Sequence, residues 1–310
     1  MSQINRLKLQ IAELEQIIEA KSQLAKSVLD PFALNLEKES FRGQLQFLQS
    51  LLKQEYLKRD KEVIKLRLKG SSAKYGNLPL EFVGGLTTSF SDAIFQSSKY
   101  LQYGNKSGAK IQRDVKQTID VRLEDIMQGS TILLVSGKTS PDLFGYSLIE
   151  DTLDFAFDLF DSNEDTFLEN VTKIGVNSIK HYSSFVKELL EDELEIEIKW
   201  NTPSEKERIW DGKKANLKWL YENLNKIKIT EPEEIEFSGK FITISSKGYF
   251  EIETLEKKRY RVKFPNEFLS KMQEFHIDDR CEGTIIETVI LNTTGGKERA
   301  QYNLKKIDKV

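Results

Sequence analysis

Hydrophobic spacing along this chain changes twice, and the changes predict an α+β protein in three parts. Ile4, Leu7, Ile11, Leu14 and Ile18 recur at steps of three and four, continued by Lys21, Ala25 and Val28. That is the seam of a coiled coil with a lysine in one core position. Asp30-Pro31 interrupts it, and Phe41, Leu45, Leu48, Leu52 and Tyr56 then mark a second helix. Over residues 1–60 the two helices either form an antiparallel hairpin or leave the first to pair with a second copy of the chain. A seam lysine can select register in both arrangements.

From residue 61 the period shortens. Ile64, Leu66 and Leu68 alternate with Lys65, Arg67 and Lys69, which predicts a strand with one dry face ending at Gly70. Pro79 opens a long helix whose apolar face runs through Leu80, Val83, Leu86, Phe90, Ile94 and Leu101 to Gly104. Gly84-Gly85 inside it predicts a close neighbour, because glycine costs a helix about 1 kcal/mol against alanine. Two strands follow over 118–126 and 130–136, then helices near 146–162, 165–173 and 176–191, a strand ending at Trp200, and a helix through Leu217, Leu220, Leu224 and Ile227. Strands scattered among helices predict an α+β layer over 61–230 rather than a repeating βαβ wind.

After a linker at Glu231-Pro232-Glu233-Glu234, residues 233–310 read as three alternating strands, a short amphipathic helix and two more strands. That order predicts a small OB-like barrel, with an SH3-like barrel as the alternative. Such barrels often hold single-stranded nucleic acid on a basic groove lined by aromatic rings. Arg259, Arg261 and Lys263 line one side of the third strand, Lys240, Lys297 and Arg299 add charge, and Phe241 and Tyr249 are the candidate stacking rings. Pairing argues the other way. A turn through Leu255-Glu256-Lys257 sets Glu253 opposite Arg259 and Glu251 opposite Arg261, so sheet pairs would neutralise much of the row.

Composition adds boundaries. With 310 residues, 39% hydrophobic and 31% charged, the chain is expected to fold rather than stay disordered. No apolar run suits a signal peptide or a membrane span, which predicts a cytoplasmic protein without a membrane partner. Cys281 is the one cysteine, which excludes an internal disulfide and a cysteine-cluster zinc site. The net charge of −3 conceals segregation: residues 142–200 hold 15 acids against 4 bases. Within them Asp151, Asp154, Asp158 and Asp161 fall along one helical face, an acidic stripe suited to a basic protein partner.

The tempting motifs fail on spacing. Gly137-Lys138-Thr139 follows an apolar strand, but Ile132 stands where a phosphate loop needs its first glycine. Asp161, Asn163 and Asp165 begin a calcium loop that lacks both its central glycine and its closing glutamate, since Thr166 and Thr172 occupy those places. His181 and His276 are far apart, and no Glu-x-x-His occurs, so neither a metal nor a cofactor is expected. The first functional reading is therefore a non-enzymatic interaction or scaffold protein that self-associates through its N-terminal helices. The alternatives are a nucleic-acid-binding protein using the barrel, and an enzyme whose site is assembled only in three dimensions.

Overall fold

The computed structural model describes residues 6–7, 9–11, 13–14, 17–18, 39–48, 50–52, 60–71, 73, 78–127, 131–141, 147–203, 206–245, 248–293 and 296–310. The described positions within 6–18 and 39–52 are helical, and Leu7, Ile11 and Leu52 form a buried cluster backed by Leu45, Leu48 and Leu51. Ile4, Lys21, Ala25, Val28 and Tyr56 lie outside the described residues.

The middle of the chain is an antiparallel sheet of five strands packed on helices. Strands β1 (Lys61–Lys69), β2 (Arg122–Met127), β3 (Ile132–Lys138), β4 (Glu195–Asn201) and β5 (Glu207–Gly212) lie in the order β2-β3-β1-β4-β5. The alternation of β1 sends Ile64, Leu66 and Leu68 inward, where Leu66 faces Leu133 on one side and Ile198 on the other. Helices α1 (Leu80–Tyr103), α2 (Ala109–Ile119), α3 (Leu148–Phe160), α4 (Phe167–Ile174), α5 (Ile179–Glu191) and α6 (Lys214–Asn225) supply the rest of that core. Two stacked ring pairs fasten α3 to the sheet: Phe157 on Trp200 at 6.0 Å and Phe160 on Trp210 at 4.6 Å. The expected close approach at the glycine pair is at Gly85, where a Cβ would stand 2.9 Å from the Glu188 carboxylate on α5.

The structure moves boundaries that the period predicts, and Glu233-Glu234 open β7 instead of closing a linker. Thr118 belongs to α2 rather than to a strand; its hydroxyl donates to the Asp114 carbonyl at 2.8 Å, a back-bond available only in a helix. Ile227 is not the end of α6 but the start of a short strand, β6 (Ile227–Ile229).

Beyond it, β7 (Glu233–Ser245), β8 (Tyr249–Thr254), β9 (Arg259–Lys263), β10 (Arg280–Asn292) and β11 (Lys297–Lys309) close into a five-stranded barrel. Each neighbour runs antiparallel except β9 and β11, which meet in parallel, and β10 returns to β7 to complete the ring. Between β9 and β10 lie a 3-10 turn and the short helix α7 (Leu269–Met272), which sends Met272 into the barrel core. Strand β6 adds to the outer edge of β10, and Ile290 of β10 is buried in the core of the helical layer rather than in that of the barrel. Among the described residues no helix is long and apolar enough to cross a membrane.

Candidate functional site

The barrel's charged strands were the first candidate surface, and their register follows from alternation. Phe250 faces Val262 and Ile252 faces Tyr260, while Glu251 faces Arg261 and Glu253 faces Arg259. Glu253 takes a hydrogen bond from Arg259 Nε at 3.1 Å and stands 3.7 Å from Lys240. The Arg261 guanidinium lies 4.1 Å from the centre of the Tyr249 ring, so it covers one face of the ring a base would stack on. Phe241 is fully buried against Phe250 and Phe275 and offers no stacking face, because its place on β7 points into the barrel.

The remaining cations face the helical layer. Lys297, Arg299 and Gln301 alternate along β11 and therefore share a side. Lys297 pairs with Asp165 at 2.9 Å, Arg299 approaches Glu169 at 3.5 Å, and Gln301 donates to the Thr172 carbonyl at 2.8 Å. Steps of two on the strand thus match steps of four and three on and just before α4. Lys263, on β9, lies at the same seam: burial lowers its ammonium pKa to about 8, with the Asp151 charge opposing and the Arg261 charge adding to the shift.

Deeper in that seam Gln301 also donates to the Tyr100 hydroxyl at 2.5 Å. Tyr100 is fixed from behind by Gly175, whose φ of 80° and lack of a Cβ admit the ring; a Cβ there would stand 2.3 Å from it. Burial raises the Tyr100 phenol far above the tyrosine range, so it remains a neutral hydroxyl. The side-chain oxygen of Gln301 and both amide atoms of Asn303 are buried next to it without a hydrogen-bond partner. Sequence reading missed this seam. Its one signal was that Gln301 and Asn303 keep the parity of Lys297 and Arg299 while losing their charge.

The acidic stripe is also taken up within the chain. Arg208 of β5 donates to Asp154 at 3.1 Å and to Asp158 at 3.0 Å and stands 3.7 Å from Asp161, with its guanidinium 5.2 Å from the Phe157 ring centre. Burial works against the Arg208 charge, yet the hydrogen bonds to Asp158 and Asp154 hold its pKa above the ordinary range. Lys173 adds a second cation 3.7 Å from Asp158. Asp151, at the head of the stripe, lies near Lys263. A basic partner would have to compete with groups already in place.

Two further titratable side chains lie outside these surfaces. The Cys281 thiol is buried in the barrel core, and burial, reinforced by Asp279, pushes it up to about 12. Burial lowers the His181 imidazole against the pull of Asp92. Among the described residues no group of three His, Cys, Asp or Glu side chains is placed to hold a metal ion.

The N-terminal helices present the remaining candidate surface. Of the seam residues, Leu7, Ile11 and Leu14 are buried and Ile18 is half-buried, with Leu7 and Ile11 against Leu52 of the same chain. Leu9, Ile17 and Phe47 remain exposed, Phe47 at 62%. Compared with known protein families, with curated proteins and with solved structures, the chain matches none.

Proposed function

We propose that this is an interaction protein that self-associates through its N-terminal helices, carrying the helical layer and the barrel as a body that engages a macromolecular partner. The observation that carries this reading is the exposure of Leu9, Ile17 and Phe47 on helices where, among the described residues, Leu7, Ile11 and Leu52 already form an internal cluster with Leu45, Leu48 and Leu51. A helical hairpin explains that cluster, and a second hairpin explains the remaining apolar positions. Covering each such side chain is worth about 1.5–3 kcal/mol, enough for a few of them to hold a dimer.

The barrel is read as OB-like. Its closure through a parallel β9–β11 contact, with a helix between its third and fourth strands, supports that order over an SH3-like one. The nucleic-acid alternative loses its support from Phe241, Lys240, Arg259, Lys297 and Arg299, which are buried or paired within the chain.

The test is the mass of the full-length chain in solution by light scattering, alone and as the double variant Leu9→Glu/Phe47→Glu. A dimer that becomes a monomer with unchanged circular dichroism is expected. A wild-type chain that stays monomeric at about 100 µM, which corresponds to less than roughly 5.5 kcal/mol of association, overturns the reading.

A further inference from the structure

The outer face of α2 and Arg122, the first residue of β2, border an open cleft of about 550 Å³ that none of the surfaces above includes. Val115 and Ile119 of α2 face the core, which leaves Gln112, Arg113, Lys116 and Gln117 together on its outer face. Asp120 then adopts a left-handed conformation, with φ at 35°, and its amide donates to the Lys116 carbonyl at 3.0 Å. This cap ends the helix and turns the chain so that Arg122 reaches the cleft wall.

The cations there are held rather than scattered. Asp120 Oδ2 accepts from Arg122 Nε at 3.0 Å and lies 2.7 Å from Nη2, an ion pair that anchors the guanidinium. The Lys116 ammonium sits 5.4 Å from the centre of the Phe95 ring, a contact that positions it without neutralising it. Arg113 is exposed and has no ion-pair partner among the described residues. Three cations and one carboxylate leave the cleft with two net positive charges, flanked by two neutral amides.

We propose that this cleft binds a small phosphorylated molecule, with a diphosphate or a pair of phosphates held by Arg113, Lys116 and Arg122. Guanidinium groups donate to phosphate oxygens two at a time, and the two net positive charges attract an anion. The volume lies within the range of small-ligand sites. Arg113 and Lys116 have no ion-pair partner among the described residues, while Arg122 is paired with Asp120 and lies near Glu124.

Calorimetric titration of the full-length chain with inorganic pyrophosphate tests this, alongside Arg113→Gln, Arg122→Gln and, as a charge-matched control, Lys187→Gln on α5. Binding weakened at least about tenfold in either cleft variant, the loss of one charge-assisted contact, and unchanged in the control is the expected result. No binding at millimolar pyrophosphate, or equal binding in all variants, overturns the proposal. So does an oligothymidine strand that binds through Arg113 and Arg122 while pyrophosphate does not.

Discussion

Gln301 of the barrel donates its one amide group to two acceptors in the helical layer, the Tyr100 hydroxyl at 2.5 Å and the Thr172 carbonyl at 2.8 Å. Its neighbour two residues along, Asn303, is equally buried with both amide atoms unpartnered. The two side chains therefore predict opposite outcomes. Gln301→Leu strips two buried groups of a donor and should cost about 1–3 kcal/mol in urea unfolding, whereas Asn303→Leu should be neutral or stabilising. Equal losses in both variants would show that the seam responds to volume alone.

Replacing Arg208 with methionine keeps the packing on Phe157 but leaves Asp154, Asp158 and Asp161 without their main cation. A loss of about 1–3 kcal/mol at pH 7 is expected. A variant as stable as the wild type would mean that the aspartates gain nothing from Arg208.

Lys263 gives a prediction at the other end of the scale. Its folded pKa of about 8 lies below the 10.5 of an ordinary lysine, so between those values the unfolded chain binds more protons. Stability contributed by this group therefore rises as pH increases through that window. The urea midpoint of the wild type should gain more between pH 8 and 10.5 than that of Lys263→Met. Parallel midpoints would place the Lys263 ammonium in water.

Phe241→Ala should destabilise the chain by about 3–5 kcal/mol, the cost of emptying a ring site in a packed core. A variant that keeps its stability would return Phe241 to the surface role its sequence position first suggested.

Cys281, with a buried thiol pushed up to about 12, should resist a disulfide reagent in the native protein and react at the rate of unfolding. Rapid labelling at neutral pH would contradict its place in the barrel.

Period was the legible part of this fold. Leu66 and its neighbours announced a strand, the Asp151–Asp161 stripe announced a helix face, and the pairing of Glu253 with Arg259 followed from counting across a short turn. What period does not carry is the partner across a long sequence gap. Arg208 meets aspartates some fifty positions earlier, and Lys297 meets Asp165 from 132 positions away, so both acidic stripe and basic row looked free. The α2 cleft escaped because the helix itself did: only Val115 and Ile119 of Ala109–Ile119 are buried, too thin an apolar stripe to announce a helix, and the left-handed turn at Asp120 then brings Arg122 beside Arg113 and Lys116. The seam around Gln301 needed the docking of barrel and helices before two polar side chains became buried.

Strand β6 and Ile290 tie the barrel to the part of the chain before it, one by backbone pairing and the other by a side chain in the neighbouring core. The barrel is consequently not a portable module. A fragment begun at residue 233 would lose a strand from the edge of β10 and bare an isoleucine meant for another core, so excision would expose backbone of β10 that β6 covers in the intact protein.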